Sequence, residues 1–153
     1  NLRPDSRGSI HIDSSDAMRQ PAIRPNYLST ESDRRVTADA IRLTRKICAA
    51  PGLEPYNPVE FRPGPEIGHD DESLAKAAGN IATTIFHPVS TCRMGQDDRA
   101  VVDDRLRVHG INSLRVVDAS IMPTITSGNT NSPVVMIAEK AAEMIIQDGR
   151  QNG

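Results

Sequence analysis

The chain has 153 residues, of which 37% are hydrophobic and 25% charged, enough for about one domain with a modest core. Its formal net charge is -2 and it has no basic run, so we expect no nucleic-acid partner. No apolar run approaches the roughly 20 residues that a membrane-spanning helix needs. These properties are typical of a globular protein.

The first half of the chain predicts a strand and a helix. Ser9–Ile12 alternates apolar and polar residues, which indicates a short strand with one buried face. A capping residue, Thr30 or Ser32, predicts a helix that ends near Ala50, with Asp33 at its positive end. Its apolar residues at helical spacing indicate a buried face: Val36, Ala40, Leu43 and Ile47.

Residues 51–68 are rich in proline and glycine and predict a loop, whose apolar residues we expect to pack on the surface. A short helix should follow from Asp70 or Asp71 to about Ala82. Next comes an apolar run, Ile85–Val89, which predicts a strand that carries His87. Further short strands are predicted at Val101–Val102, Leu106–Val108 and Leu114–Val117.

The last helix is predicted from Ser132, a capping residue followed by Pro133 at the first helical position, to Gly149. Its predicted buried stripe comprises Val134, Ile137, Ala138, Ala141, Ala142 and Ile145. Strands and helices alternate irregularly along the chain, which favours the α+β class over a doubly wound sheet.

His87 and Asn129 are the candidate functional residues. A single histidine is usually half-buried and satisfied by one hydrogen bond, but an ordinary imidazole also accepts a proton near neutral pH. Asn129 precedes the last helix, where asparagine commonly caps. The same helix end gathers positive potential that stabilises a negatively charged ligand, so capping and ligand binding are compatible.

The other chemically interesting residues have simpler interpretations. Asp118 follows a predicted strand, and a turn-forming carboxylate is favoured over a ligand contact. Arg115 is interpreted as a structural ion-pair partner. Cys92 lies five residues after His87, a poor arrangement for a thiol nucleophile and its base. Cys92 and Cys48 show no metal spacing, so we expect reduced thiols and no metal site.

Three segments resemble the carboxyl-terminal signature of the glucose–methanol–choline oxidoreductases. They are HPVSTCRMG (His87–Gly95), VVDDRLRVHGINSLRVVDASIMP (Val101–Pro123) and GNTNSPVVMIAEKAA (Gly128–Ala142). The segments SRGSIHI and NYLSTESDRR are similar to the corresponding region of choline-dehydrogenase-like members. The resemblance covers nearly the whole chain and keeps the family's order of segments.

The resemblance implies an FAD-dependent oxidation of a small-molecule alcohol. His87 would take the hydroxyl proton while hydride passes to flavin N5, and Asn129 would be the second catalytic residue. The turn Asn129, Thr130 and Asn131 would lie near the flavin and stabilise its reduced form. Asp118 and Ala119 would approach the ribityl-pyrophosphate part of the cofactor.

Two departures from the family pattern have consequences. Ser90 stands where relatives often carry glycine, which bears on how the substrate is placed. The G-x-G-x-x-G fingerprint that holds the pyrophosphate does not occur, and the sequence begins at Asn1 without methionine. We therefore expect a fragment that lacks the amino-terminal FAD-binding half, binds little or no FAD alone and is inactive alone.

The expected fold is an antiparallel sheet with flanking helices, plus the closing strand and helix of the FAD-binding domain. Residues 1–95 would be the later part of the substrate-binding domain, with the catalytic histidine strand, and residues 96–153 would return to the FAD-binding domain. Expected partners are the alcohol, the missing half and other copies of the fragment. We expect a cytoplasmic location, with peripheral inner-membrane association as an alternative. The alternative function is a non-catalytic α+β ligand- or partner-binding module.

Overall fold

The computed structural model describes residues 1–151 and divides the chain into two compact units. One unit is Asn1 with Arg3–Thr84, and the other is Leu2 with the residues from Ile85 onward. The regular elements are β1 (Ser9–His11), β2 (Ala22–Arg24), α1 (Glu31–Cys48), α2 (Asp71–Ile81) and α3 (Asn131–Gln151). An antiparallel strand pair combined with helices confirms the α+β class. The predicted domain boundary at residue 95 concerns the complete protein and stays a prediction.

The two strands form an antiparallel pair in which Ile10 lies opposite Ile23. The strand at Ser9–Ile12 is thus confirmed to within one residue. Its predicted buried face is wrong, because all three residues of β1 are exposed to solvent. Among the described residues β1 pairs with β2 alone.

Helix α1 begins and ends where its sequence signals predict. The Thr30 side chain accepts a hydrogen bond of 3.2 Å from the backbone N–H of Asp33, so Thr30 rather than Ser32 is the cap. The helix ends at Cys48, shortly before Pro51. Helix α2 is capped in the same way by Asp70, which accepts from the backbone N–H of Ser73 at 2.8 Å.

The predicted buried face of α1 is wrong. Val36 is 40% exposed, Leu43 57% and Ile47 54%, and Ala40 is exposed as well. The residue of α1 that is fully buried is Ala38, which lies on the opposite face of the helix. Helix α1 packs against α2, and this side of the pair buries the small residues Ala38, Ala75 and Ala78 with Leu74.

The loop that follows α1 is confirmed as a loop that contains a six-residue 3₁₀-helix at Pro51–Tyr56. Arg45 of α1 holds this loop, since it donates to the carboxylate of Glu60 at 2.9 Å and to the Gly64 carbonyl at 3.2 Å. The expected apolar packing of this loop is wrong for three of its large side chains, which are exposed: Tyr56, Val59 and Phe61.

The second unit is built around an apolar core rather than a sheet. Irregular segments contribute Val102, Leu106, Ile121 and Met122, and α3 contributes Ile137 and Ala141. The strands predicted in this unit reduce to isolated bridges: Met94 with Val102, Val102 with Val108, and Arg107 with Arg115.

The predicted strand Ile85–Val89 is wrong, and the residues around His87 have an irregular backbone. Phe86 has φ +63° and Ser90 has φ +74°, both in the left-handed region, which no strand residue occupies. The run predicts a strand because its residues are apolar and β-prone. Nothing in its sequence indicates that the backbones of Phe86 and Ser90 are left-handed.

Helix α3 begins at Asn131 and continues to Gln151, so the predicted bounds of Ser132 and Gly149 are confirmed to within two residues. The predicted capping role of Ser132 is wrong, because Ser132 lies inside the helix. Ile137 and Ala141 are buried and Val134 is half-buried, as predicted. The remaining residues of the predicted stripe are exposed: Ala138, Ala142 and Ile145. None of the helices in residues 1–151 is long and apolar enough to cross a membrane.

Candidate functional site

His87 lies between the two left-handed residues and is half-buried. Its ring nitrogen Nδ1 is shielded from solvent and makes no hydrogen bond with any described residue. A buried polar atom without a partner is unfavourable and uncommon in folded proteins. Within the described residues, this nitrogen therefore lacks the hydrogen bond that a structural histidine usually makes.

The segment that carries His87 is fastened to the segment that leads to Asn129. Ser90 Oγ donates to the carbonyl of Met122 at 2.7 Å and approaches that of Pro123 at 3.1 Å. Backbone bonds continue this junction from Cys92 N–H to the Ser120 carbonyl, 3.0 Å, and from Met94 N–H to the Ile121 carbonyl, 2.8 Å. Residues 90–94 and 120–123 thus form one continuous junction.

Asn129 lies in an exposed turn directly before α3. Gly128 has φ +137°, and a Cβ there would meet no atom within 4 Å, so the described chain leaves open space beside the turn. Thr130 is buried, and its carbonyl accepts from Val134 N–H at 3.0 Å, which starts the helix. Asn131 is the first residue of α3 and is exposed.

The N-terminus of α3 differs in charge from those of α1 and α2. The first turn of α1 carries Glu31 and Asp33, and that of α2 carries Asp71 and Glu72. These carboxylates offset the positive end of the helix dipole. The first turn of α3 has no acidic residue, so its positive potential and its free N–H groups stay available to an anionic ligand.

Asp118 and Ala119 are already occupied by structural contacts. The Asp118 carboxylate caps a 3₁₀ turn at Ala119–Ile121 by accepting from the backbone N–H and the hydroxyl of Ser120, at 2.8 and 2.5 Å. Ala119 is half-buried and packs against the core of the second unit. A cofactor contact at these positions would use backbone atoms or the outer carboxylate oxygen.

The predicted site residues all lie in the same compact unit. The sequence analysis singled out Ser90 as a departure from the family pattern, but it did not predict the junction that Ser90 makes with residues 122 and 123. The convergence of the His87 and Asn129 side chains on one substrate stays a prediction.

Two other features of the molecule are separate from these residues. A surface depression of about 420 Å³ lies along the hairpin of residues 103–115 and includes none of the predicted site residues. Within residues 1–151, no group of histidine, cysteine and carboxylate side chains is arranged to hold a metal ion.

Comparison with known proteins identifies the family. The family model described as GMC oxidoreductase, the carboxyl-terminal domain, matches residues 4–138. The chain is 49% identical over 151 residues to the oxygen-dependent choline dehydrogenase of Pseudomonas fluorescens, an alignment that covers 99% of this chain and 26% of that protein. The chain belongs to the glucose–methanol–choline oxidoreductase family, and it spans about a quarter of the length of the curated relatives that it matches.

Solved structures agree in fold. Pyridoxine 4-oxidase from Mesorbium loti is 37% identical and aligns with a TM-score of 0.81 over 93% of this chain and 28% of its own. An FAD-dependent oxidoreductase from Chaetomium thermophilum is 28% identical, with a TM-score of 0.90 over 98% of this chain and 26% of its own. The predicted family is therefore confirmed.

Proposed function

We propose that this chain is the carboxyl-terminal, active-site part of an FAD-dependent alcohol oxidoreductase similar to choline dehydrogenases. The observation that carries the proposal is His87, whose buried Nδ1 is unused within a segment matched by the family model. The match covers every residue that we assign to the site, from His87 to Asn131. A relative named choline dehydrogenase puts choline first among the alcohols to test.

His87 is the base in this proposal. Oxidation of R–CH–OH to a carbonyl removes one proton from oxygen and one hydride from carbon. His87 takes the proton on a ring nitrogen, because an imidazole can act as a general base toward an alcohol. In the proposal, Asn129 is the second polar group near the alcohol carbon that loses the hydride. Its carboxamide orients the oxygen of the alcohol.

FAD, when bound, supplies the acceptor for the hydride. The residues that would hold its flavin end are Asn129, Thr130 and Asn131 at the start of α3. The open space beside Gly128 and the uncompensated positive end of α3 fit a group that gains negative charge when reduced. Asp118 and Ala119 are proposed to contact the cofactor further along its length, through the atoms that Ser120 and the core leave free.

The remaining part of the protein is the proposed partner of this chain. Large apolar residues are exposed on α1, on the loop after it and on α3, more than a finished enzyme surface would carry. We infer that the FAD-binding half covers some of these surfaces. Separated from that half, the chain is expected to self-associate through them.

The direct experiment is to purify the complete protein and to mix it anaerobically with choline and with simple primary alcohols. Bleaching of the oxidised flavin absorbance by one of these alcohols, with formation of the aldehyde, is the expected result. A complete protein that binds no FAD, or that holds FAD which no alcohol reduces, would instead favour a non-catalytic binding module.

A further inference from the structure

We propose that Ser90 is a positioning residue for His87, whose hydroxyl fastens the His87 segment to the main chain that leads to Asn129. This inference rests on the proposed function, because the placement of His87 matters to catalysis only if His87 acts on an alcohol. It goes beyond the family resemblance, which assigns no role to the hydroxyl of Ser90.

The acceptors of the Ser90 hydroxyl belong to a rigid part of the molecule. Met122 is 6% exposed and is a member of the core of the second unit. Its carbonyl accepts the stronger of the two contacts, at 2.7 Å, and the carbonyl of Pro123 lies at 3.1 Å. One hydroxyl proton shared by two carbonyls fixes the side chain in one rotamer and so fixes the backbone of Ser90.

The backbone at Ser90 is in a conformation that serine rarely adopts. At φ +74° the Cβ crowds the neighbouring carbonyl oxygen, and glycine is the residue that avoids this strain. Phe86, on the other side of His87, has φ +63°. Two strained residues therefore enclose His87, an arrangement that surrounding contacts must maintain. The Ser90 hydroxyl is one such contact, three residues from the imidazole.

Two roles for the hydroxyl must be separated. In the first, it only compensates for the strain of the left-handed backbone, and glycine replaces it without loss. In the second, it sets the position of His87, and glycine cannot replace it. The variants Ser90→Gly and Ser90→Ala distinguish these roles, because both lack the hydroxyl while glycine alone relieves the strain.

Ser113→Gly is the matched control. Ser113 is also a serine in the left-handed region, with φ +61°, and it lies in the exposed turn of the 103–115 hairpin of the same unit. The substitution makes the same chemical change at the same kind of backbone position. It does so away from the junction between residues 90–94 and 120–123.

The experiment uses the complete FAD-loaded protein and measures the rate of flavin reduction at saturating alcohol, expressed per bound FAD. We expect Ser90→Gly and Ser90→Ala to slow reduction by a similar factor, about 10-fold, because misplacement of a catalytic group by a fraction of an ångström lowers the rate steeply. The FAD content and the KM should change little, and Ser113→Gly should react at the wild-type rate.

Wild-type reduction by Ser90→Gly, with slower reduction by Ser90→Ala, would overturn the proposal and leave the hydroxyl a role in backbone strain alone. A loss of bound FAD in proportion to the loss of the reduction rate would overturn the proposal too, since such a loss of FAD indicates that the variant unfolds. If no alcohol reduces the wild-type protein, the proposed function fails and this inference fails with it. An active wild type with a fully active Ser90→Gly variant rejects this inference only.

Discussion

Asp33 shows how one residue combines a local and a distant role. The sequence predicts the local role, a carboxylate at the positive end of α1. The structure adds contacts with the first residues of the chain, because Asp33 accepts from Asn1 Nδ2 at 2.7 Å, Asp5 N–H at 3.0 Å and Ser6 N–H at 2.7 Å. Those partners lie 27 to 32 residues away, beyond the reach of capping rules.

The environment of Asp33 makes the stability of this region dependent on pH. Burial acts to raise its pKa, but the hydrogen bonds with Ser6, Asp5 and Thr30 outweigh burial and lower the pKa from 3.8 to about 2. Since the pKa is lower in the folded state, the stabilisation is complete above about pH 4 and is lost as the pH falls toward 2.

We therefore predict that Asp33→Asn loosens the N-terminal segment and the start of α1. Hydrogen–deuterium exchange of residues 1–8 and 31–38 in the complete protein should be faster at neutral pH, because an amide replaces a charged acceptor with its several hydrogen bonds. Glu31→Gln is the control, as Glu31 is exposed in the same helical turn. Equal exchange in the two variants would contradict this role of Asp33.

His87 illustrates what a sequence supports and what it omits. Its type and its neighbours indicate a functional histidine, and the family resemblance is carried by the same residues. Its backbone could not be predicted, because the left-handed conformations of Phe86 and Ser90 depend on contacts such as that from Ser90 to Met122, which is 32 residues distant. Local backbone propensity therefore does not predict the conformation of Phe86 or of Ser90.

At the scale of elements, the helices were predicted well and the strands poorly. A helix carries its own signals: Thr30 and Asp70 cap two helices, and Pro51 follows the end of the first. A strand depends on its neighbour. Leu114–Val117 has strand composition, but in the described chain its pairing reduces to one bridge, Arg107 with Arg115.

One ion-pair cluster joins α3 to the hairpin of residues 103–115. Asp148 accepts from Arg105 Nη2 at 2.6 Å and also pairs with Arg115, which confirms the structural interpretation of that arginine. Burial acts to raise the pKa of Asp148, but the hydrogen bond and charge of Arg105, with the other arginines, lower it overall. The carboxylate is therefore charged at neutral pH and holds both guanidinium groups.

Asp148→Asn should lower the thermal midpoint of the complete protein, because it leaves Arg105 and Arg115 without a charged partner. Glu143→Gln on the same helix is the control: its ion pair with Lys140 is exposed and local, a type that contributes little. Differential scanning calorimetry compares the two. A midpoint in Asp148→Asn as high as in the control would show that the cluster does not stabilise α3.

At the scale of the whole molecule, the apolar stripe of α1 explains one wrong prediction. Its spacing indicates an apolar face, but the stripe formed by Val36, Ala40, Leu43 and Ile47 is exposed in this chain. The opposite face, which carries the buried Ala38, packs on α2. Helical periodicity shows that the apolar residues share one face of the helix. It does not show which part of the protein covers that face.

If the rest of the protein covers this stripe, a charge placed in it is costly. We expect Leu43→Glu to destabilise the complete protein by about 2 kcal/mol or more, because a carboxylate would be buried without a partner. Met18→Glu is the control, since Met18 is an exposed apolar residue outside the stripe. Thermal unfolding that is identical for both variants would mean that the stripe faces solvent in the complete protein.

The measurement that tests the central claim most directly is stopped-flow reduction of the complete FAD-loaded protein by its alcohol, with His87→Ala compared with His11→Ala. His11 is an exposed histidine of β1 and serves as the control. His87→Ala should slow flavin reduction by roughly 10²–10⁴-fold while FAD stays bound, because it removes the proposed base for the hydroxyl proton. Reduction of His87→Ala at the rate of His11→Ala would contradict the account.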